Sequence, residues 1–532
     1  MLSFPVMHTD DLFSDHPENS HAAGQPNGAA REKGQFFTPW PVARFMAAWV
    51  TADPSCTRLC DPAAGLGVFF RVAHSLHPQR AFSFTGYETD SALIPQAVDL
   101  LNALPDCHAE MRCADYLAEP WDEQFDGILC NPPYLHFRRY AARVERIAVF
   151  RQHLQVDLSN LANLYALFLL KGLRQLAPHG RAAFIIPAEF LNADFGVTIK
   201  QALLDDGRLR HILVFNPAER LFAGALTTSC ILLFAPADGP EGVTFSQVDS
   251  LDALQNWSPQ FAAPLADLNP RHKWLAHLTP EADFDTANFA PLNAYAHARR
   301  GIATGDNRFF LLNLEDIHRW GLSPDDFLPC LTHAAQADVS CFTSADWENL
   351  VTAGQRVFLL NPAALHSTAL QAYLQHGQSC GVAERFLPAH RRLWYAPENR
   401  PPAPLLVTVF NRRRLRFIIN QTGVRNLTCF HGIYPLAGAA QHFDLLAAYL
   451  LTPTALRLVQ RQSRLYSEGM FKLEPNDINH TLVPRVEQLP AGTQAHLRSL
   501  LRQLCTLHHH GGDSAPLIYQ MDQFFQEFIN AG

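Results

Sequence analysis

The chain is predicted to be an α/β protein, with a seven-stranded, largely parallel sheet followed by a C-terminal mixed α/β domain. Three observations carry this expectation. Short apolar runs alternate with helical patterns over roughly the first 240 residues, the texture of strands joined by helices. Gly65 and Gly67 fall between the first such run and the helical stretch after it, where a strand-to-helix turn brings backbone close to a ligand. The 532 residues are 48% hydrophobic, enough for large cores and about three domains.

In chain order, residues 1–30 are polar with scattered Gly, Pro and His and read as a disordered tail. The first domain spans 31–240. Gly34-Gln35-Phe36-Phe37-Thr38-Pro39 leads into a helix over Val42–Val50. Strands are expected near Leu59, Phe82–Glu88, Arg112, Phe125–Cys130, Ala183–Ile186, His211–Phe215 and Ser229–Phe234, the last antiparallel. Asn163–Leu176 reads as an amphipathic helix. Asp238-Gly239-Pro240-Glu241-Gly242 marks a boundary, and 241–290, rich in Pro and Asn, reads as a connecting region. A second domain is expected over 291–490. A C-terminal segment, 491–532, carries a helix over 493–509. No internal repeat is evident.

No apolar run reaches the roughly 18–20 residues that span a bilayer. Asp10, Asp11, Asp15 and Glu18 near the start do not fit a signal peptide, so the expected compartment is the cytoplasm. Eleven cysteines without a Cys-x-x-Cys pair argue against a zinc site, and no metal is expected. His508-His509-His510 reads as a solvated loop.

The most informative residues are Asn131-Pro132-Pro133-Tyr134, directly after the apolar run Phe125–Cys130. Ligands of open α/β sheets bind outside the carboxyl ends of strands. Two consecutive prolines remove two backbone donors and stiffen the turn, so the carbonyls of Asn131 and Pro132 can serve as acceptors. The Asn131 side chain adds another acceptor, and Tyr134 adds a flat aromatic face. The set suits a planar ring with an exocyclic amino group.

Upstream lies Asp61-Pro62-Ala63-Ala64-Gly65-Leu66-Gly67. Glu88 ends the next strand-like run, about 20 residues past the glycines, where a carboxylate can grip ribose hydroxyls. Asp115 follows a third run. These acids should cluster along one sheet edge. Phe70 stands where a dinucleotide fold has its third glycine, which weakens a pyrophosphate-bearing ligand.

Asn131–Tyr134 is the signature tetrapeptide of amino-methyltransferases that use S-adenosylmethionine (SAM). The order Phe37-Thr38-Pro39, glycine turn, acid, Asn131–Tyr134, long C-terminal region resembles the gamma arrangement of N6-adenine DNA methyltransferases. The resemblance is strong over 31–240 and looser beyond. It implies a Rossmann-like SAM-dependent methyltransferase sheet and a target-recognition domain that opens near Arg299–Phe310. Phe37, Thr38, Pro39, Asp61, Ala63, Gly65, Gly67, Glu88 and Asp115 would then form the SAM site. Asn131 and Pro132 would accept from the N6 hydrogens of a flipped adenine stacked on Tyr134, with Pro133 completing the turn. Phe222 matches a second aromatic that holds the base in related enzymes. The segment Tyr466–Pro475 also resembles one that such domains carry. Length and C-terminal texture resemble XhoI-type companion methylases, which modify the adenine of CTCGAG.

Net charge is −8, yet binding follows the local field rather than the total. Residues 381–425 hold nine arginines against two acids. Of these, Arg391, Arg392, Arg412, Arg413, Arg414, Arg416 and Arg425 are the candidate DNA contacts, since arginine forks suit phosphates and guanine edges. The expected partners are double-stranded DNA and, in function, a separate restriction endonuclease; one active site and one reader permit a monomer. The alternatives are methylation of RNA or of a protein glutamine, a single-chain restriction enzyme and a catalytically silent DNA-binding subunit. The large basic C-terminal domain argues against the first. The second would need a nuclease domain before residue 31, and no lysine has an acid two residues before it. The intact Asn131–Tyr134 argues against the third.

Overall fold

A computed structural model describes residues 17–18, 36–135, 140, 143–155, 163–216, 219, 221–222, 228–237, 242–278, 287–361, 363, 367–411, 415–466, 470–509 and 512–530. The chain forms two compact units, Met1–Pro280 with Arg464–Gly469, and Glu281–Ser463 with Met470–Gly532.

The N-terminal unit opens with α1 (Trp40–Val50), started by Pro41 in its first turn, where the missing N–H has no helical partner to lose. It continues β1 (Arg58–Asp61), α2 (Val68–Leu76), β2 (Ser83–Glu88), α3 (Ile94–Asn102), β3 (His108–Cys113), β4 (Phe125–Cys130), α4 (Arg143–Leu154), α5 (Leu164–Gln175), β5 (Leu176–Pro187), α6 (Gly196–Asp206), β6 (Leu209–Phe215), β7 (Ser229–Phe234), β8 (Val243–Val248) and β9 (Phe261–Ala263). The described strands of this unit from β1 to β9 form one sheet of order β3-β2-β1-β4-β5-β7-β6-β8-β9. Strands β3 to β5 run parallel. Strand β7 is antiparallel to both β5 and β6. Its six residues are all buried, as expected for a strand covered on both faces.

The sheet has nine strands rather than seven. Residues 243–263, read from sequence as connecting region, supply the extra two. Strand β8 pairs parallel with β6, so β6 is no longer an edge and its outer backbone N–H and C=O groups find partners. The Asn163–Leu176 helix is present as α5, but it is buried nearly all round rather than amphipathic. Its Lys171 is fully buried, and Nζ donates to the carbonyls of Tyr116 and Glu119 at 2.6 and 2.5 Å. Paired in this way, the charge is tolerated in the interior.

The C-terminal unit holds a five-stranded sheet of order Ala296–Arg300, Phe430–Pro435, Leu405–Thr408, Phe417–Asn420, Cys341–Phe342. A four-stranded sheet contains Leu311–Leu312, Phe358–Leu360, Phe327–Leu331 and Arg425–Asn426. Phe289–Pro291 pairs antiparallel with Leu482–Pro484, and Met470–Lys472 with Phe410–Asn411. The C-terminal helix runs Ala491–His509, and a second follows over Ala515–Asn530. His508, expected in a loop, lies in the first of these helices, with Nε2 3.2 Å from Asp346 Oδ2. Among the described residues no helix is long and apolar enough to cross a membrane.

Candidate active site

Strand order explains why the four polar residues singled out from sequence converge. Asp61 is the last residue of β1, Glu88 the last of β2, Asp115 lies two past β3, and Asn131 follows β4 directly. These strands are neighbours in the order β3-β2-β1-β4, so their carboxyl ends form one edge. A cavity of about 560 Å³ opens there. Phe37, Thr38, Asp61, Ala63, Gly65, Glu88, Asp115, Asn131 and Pro133 are among its lining residues. Gly67, Pro39, Pro132, Tyr134 and Phe222 stand outside the lining.

The cavity's charge pattern is one-sided. Glu18, Asp61, Glu88, Asp90 and Asp115 face it, and no described lining residue is Lys, Arg or His. Such a field favours a cationic ligand and opposes a phosphate. Asp61 is 1% exposed, and burial pushes its carboxyl up to about 8, with nearby Glu88 adding and the Ala63 N–H opposing. SAM carries a sulfonium and an ammonium, so the residues present fit it.

The turn after β1 is built on backbone geometry only glycine takes readily. Gly65 has φ +53° and Gly67 φ +75°. Gly65 N–H donates to Glu88 Oε2 at 3.1 Å, and Asp90 N–H donates to Oε1 at 2.8 Å. The Glu88 carboxylate therefore ties the glycine turn to the next loop. A Cβ on Gly67 would sit 3.2 Å from Leu101. Gly67→Val is expected to destabilise the N-terminal unit by about 1–3 kcal/mol through backbone strain, read as a lower denaturation midpoint; an unchanged midpoint would remove the strain argument.

Asn131 is 9% exposed, and both its donor contacts lie within the segment before α1. Its Nδ2 donates to the Phe36 carbonyl at 2.8 Å and to Thr38 Oγ1 at 3.1 Å. A carbonyl can only accept, which fixes the amide's orientation. Among the described residues, Asn131 Oδ1 is buried and has no hydrogen-bond partner. A buried acceptor in this state costs about 1–3 kcal/mol, which a ligand donor would recover. Beside it, three rings meet: Tyr134 lies 5.6 Å from Phe36 and 5.8 Å from Phe222, and Phe36 lies 5.7 Å from Phe222. Phe222 stands perpendicular to Tyr134, so its present position completes an aromatic cluster rather than one side of a base sandwich.

A family model described as N-6 DNA Methylase matches residues 10–256. One described as the C-terminal domain of the type II methyltransferase M.Eco57I matches residues 281–509. The type II methyltransferase M.AccI of Acinetobacter calcoaceticus is 35% identical over 508 residues, covering 93% of each chain. The chain belongs to the type II DNA methyltransferases. M.XamI of Xanthomonas campestris pv. amaranthicola is 26% identical over 87% of each chain. In fold, the methyltransferase is similar to the type IIL restriction-modification enzyme MmeI, solved in complex with DNA, with TM-score 0.59 and 14% identity over 89% of this chain and 70% of that one.

Glu18 and Tyr140 are among the residues of the methyltransferase's cavity that carry little or no sequence signal. Pro17 and Glu18 are helical within the stretch expected to be disordered; residues 1–16 and 19–30 lie outside the described residues. Glu18 is 4% exposed, pairs with Arg71 of α2 and lines the cavity. An isolated acid in a polar tail carries no sequence signal for this. Tyr140 donates to Asp115 Oδ2, and only its position nine residues after Asn131 hints at it.

The candidate arginines separate in the C-terminal unit. Arg391 donates to the carbonyls of Ala303 and Thr304 at 2.7 and 2.8 Å. Arg416 pairs with Asp338 and donates to the Ala334 carbonyl. Arg425 donates to the Arg400 carbonyl at 3.1 Å. These three brace the unit's own loops, a part the sequence reading did not assign them. Arg392 is exposed. Arg412, Arg413 and Arg414 lie outside the described residues.

Proposed function

We propose that this methyltransferase transfers a methyl group from SAM to N6 of an adenine flipped out of duplex DNA at a specific sequence. In this reading it works as a monomer in the cytoplasm and protects host DNA from a separate endonuclease. The observation that carries the reading is the orphaned, buried Asn131 Oδ1, held in place by Phe36 and Thr38. An adenine amine offers the hydrogen that oxygen lacks.

When bound, SAM supplies an electrophilic methyl group. The residues around the site do the rest. Glu88 and Asp115 give the negative field that receives the cofactor, Asp61 adds its charge when the cationic ligand draws off its proton, and the Gly65 turn lets the ligand approach the backbone. An exocyclic adenine amine is a poor nucleophile because its lone pair is delocalised, and extruding the base costs a few kcal/mol. Asn131 Oδ1 and the Pro132 carbonyl, accepting its two hydrogens, draw the nitrogen towards tetrahedral geometry and localise the lone pair. Positioning and electrostatics then carry the rate. The Tyr134 ring receives the base face, and Phe222 must turn or shift from its edge-on position to take the other face.

Tyr134→Ala should therefore lower transfer by the stacking contribution, about 1–3 kcal/mol, roughly 5- to 150-fold. Tyr134→Phe, which keeps the ring, should stay within a few-fold. Equal loss in both would assign the role to the hydroxyl, which donates to the Ile185 carbonyl at 3.3 Å.

The reading as a whole is tested by transfer of labelled methyl from SAM to unmethylated duplex DNA, followed by nucleoside analysis. N6-methyladenine is the expected product; label on cytosine, RNA or protein would overturn the reading. The XhoI-type resemblance makes CTCGAG the first sequence to try, and Arg392 with Arg412–Arg414 are the base or phosphate contacts to vary.

A further inference from the structure

We propose that the cleft around the Gly301–Arg308 loop of the C-terminal unit is a contact site for the phosphodiester backbone of duplex DNA, made by the guanidinium groups of Arg300, Arg308 and Arg385. This rests on the DNA reading above and extends it to residues outside the arginines singled out from sequence. The cleft has a volume of about 550 Å³ and is lined by these three arginines together with Thr304, Asp306 and Thr428.

The loop is held rigidly from behind. A Cβ on Gly301 would lie 2.0 Å from the Leu427 carbonyl oxygen, and one on Gly305, at φ +84°, 2.6 Å from Pro388. Ile302 N–H donates to the Asn426 carbonyl at 3.0 Å. Arg391 holds the carbonyls of Ala303 and Thr304, and Arg400 holds that of Arg300. The tertiary fold thus brings the arginine-rich 381–425 stretch behind a loop some 80 residues earlier in the chain, and spends several of its guanidiniums on internal carbonyls. Order of this kind lowers the entropy cost of receiving a ligand.

What faces the cleft is positive. Arg300, Arg308 and Arg385 are exposed. The acid among the lining residues is Asp306, 7% exposed. Its Oδ1 accepts the Arg308 N–H at 3.0 Å, and its Oδ2 lies 3.1 Å from Arg385 Nη1. Asp306 thereby orients Arg385, and no described carboxylate pairs with the side chains of Arg300 or Arg308. Guanidinium forks match phosphate oxygens in pairs, and backbone contacts of this type set register on the duplex without reading sequence.

The test is equilibrium binding of the full chain to a random-sequence duplex of about 30 base pairs, from 50 to 200 mM NaCl. Each phosphate contact contributes about 0.9 to the slope of log affinity against log salt. The triple variant Arg300→Gln/Arg308→Gln/Arg385→Gln should lose about 2.7 of that slope. Its SAM affinity should be unchanged, and its unfolding midpoint should fall no further than that of Arg385→Gln alone, which leaves Asp306 without its cation. The triple lysine variant, which keeps the charge, should recover most of the slope. An unchanged slope in the glutamine variant would overturn the proposal. So would failure of the lysine variant to recover it, which would make the arginines packing elements, or an altered methylated sequence, which would make them base readers. A wild type that neither binds nor methylates DNA would instead fail the functional reading itself.

Discussion

Asn131→Ala should lower methyl transfer by about a hundred- to a thousand-fold, the range seen when one preorganised polar group is taken from a developing charge. The variant removes the buried acceptor Oδ1, so the amine would keep its delocalised lone pair. It also strips the Phe36 carbonyl and Thr38 Oγ1 of their shared donor. That second effect loosens the segment before α1 and should weaken SAM binding only a few-fold, because the acidic lining on β1, β2 and the loop after β3 is untouched. Single-turnover transfer and calorimetric SAM binding separate the two. Loss of SAM binding in step with transfer would move Asn131 from the substrate side to the cofactor side.

Asp61→Asn should weaken SAM binding by about 2–4 kcal/mol, roughly 30- to 1000-fold, and the loss should depend on pH. A buried carboxyl pushed up to about 8 holds a proton at neutral pH in the unliganded protein. A cationic ligand favours the ionised form, so below pH 8 binding must first release that proton. Affinity therefore gains about tenfold per unit as pH rises, and the gain stops above 8. The ligand's own amino group titrates in the same range, so the informative quantity is the ratio of wild-type to Asp61→Asn affinity. That ratio should rise from pH 6 to 8 and then level. A ratio constant across this range would mean that Asp61 does not meet the ligand's charge.

The candidate site is legible from sequence where its residues sit at the ends of strands. Asp61, Glu88 and Asn131 were found because a strand announces itself by a short apolar run, and the residue at its end is then placed by counting. The glycine turn was legible because positive φ is readily taken by few residues besides glycine. Glu18 was not legible, since its ion pair with Arg71 joins residues 53 apart in the chain. The same holds for β8, which pairs with β6, and β9, which pairs with β8; composition around residue 243 reveals neither partner.

By itself, then, the sequence determined the α/β class, the order of the site's pieces and the chemistry they suit, because each rests on local periodicity or on one residue's backbone preference. The tertiary structure alone decided which arginines brace loops and which face outward, that Phe222 meets Tyr134 edge-on, and that Asn131 Oδ1 finds no donor among the described residues. Those outcomes depend on which distant group arrives first at each hydrogen-bonding or packing position, and that competition is settled only when the whole chain has folded.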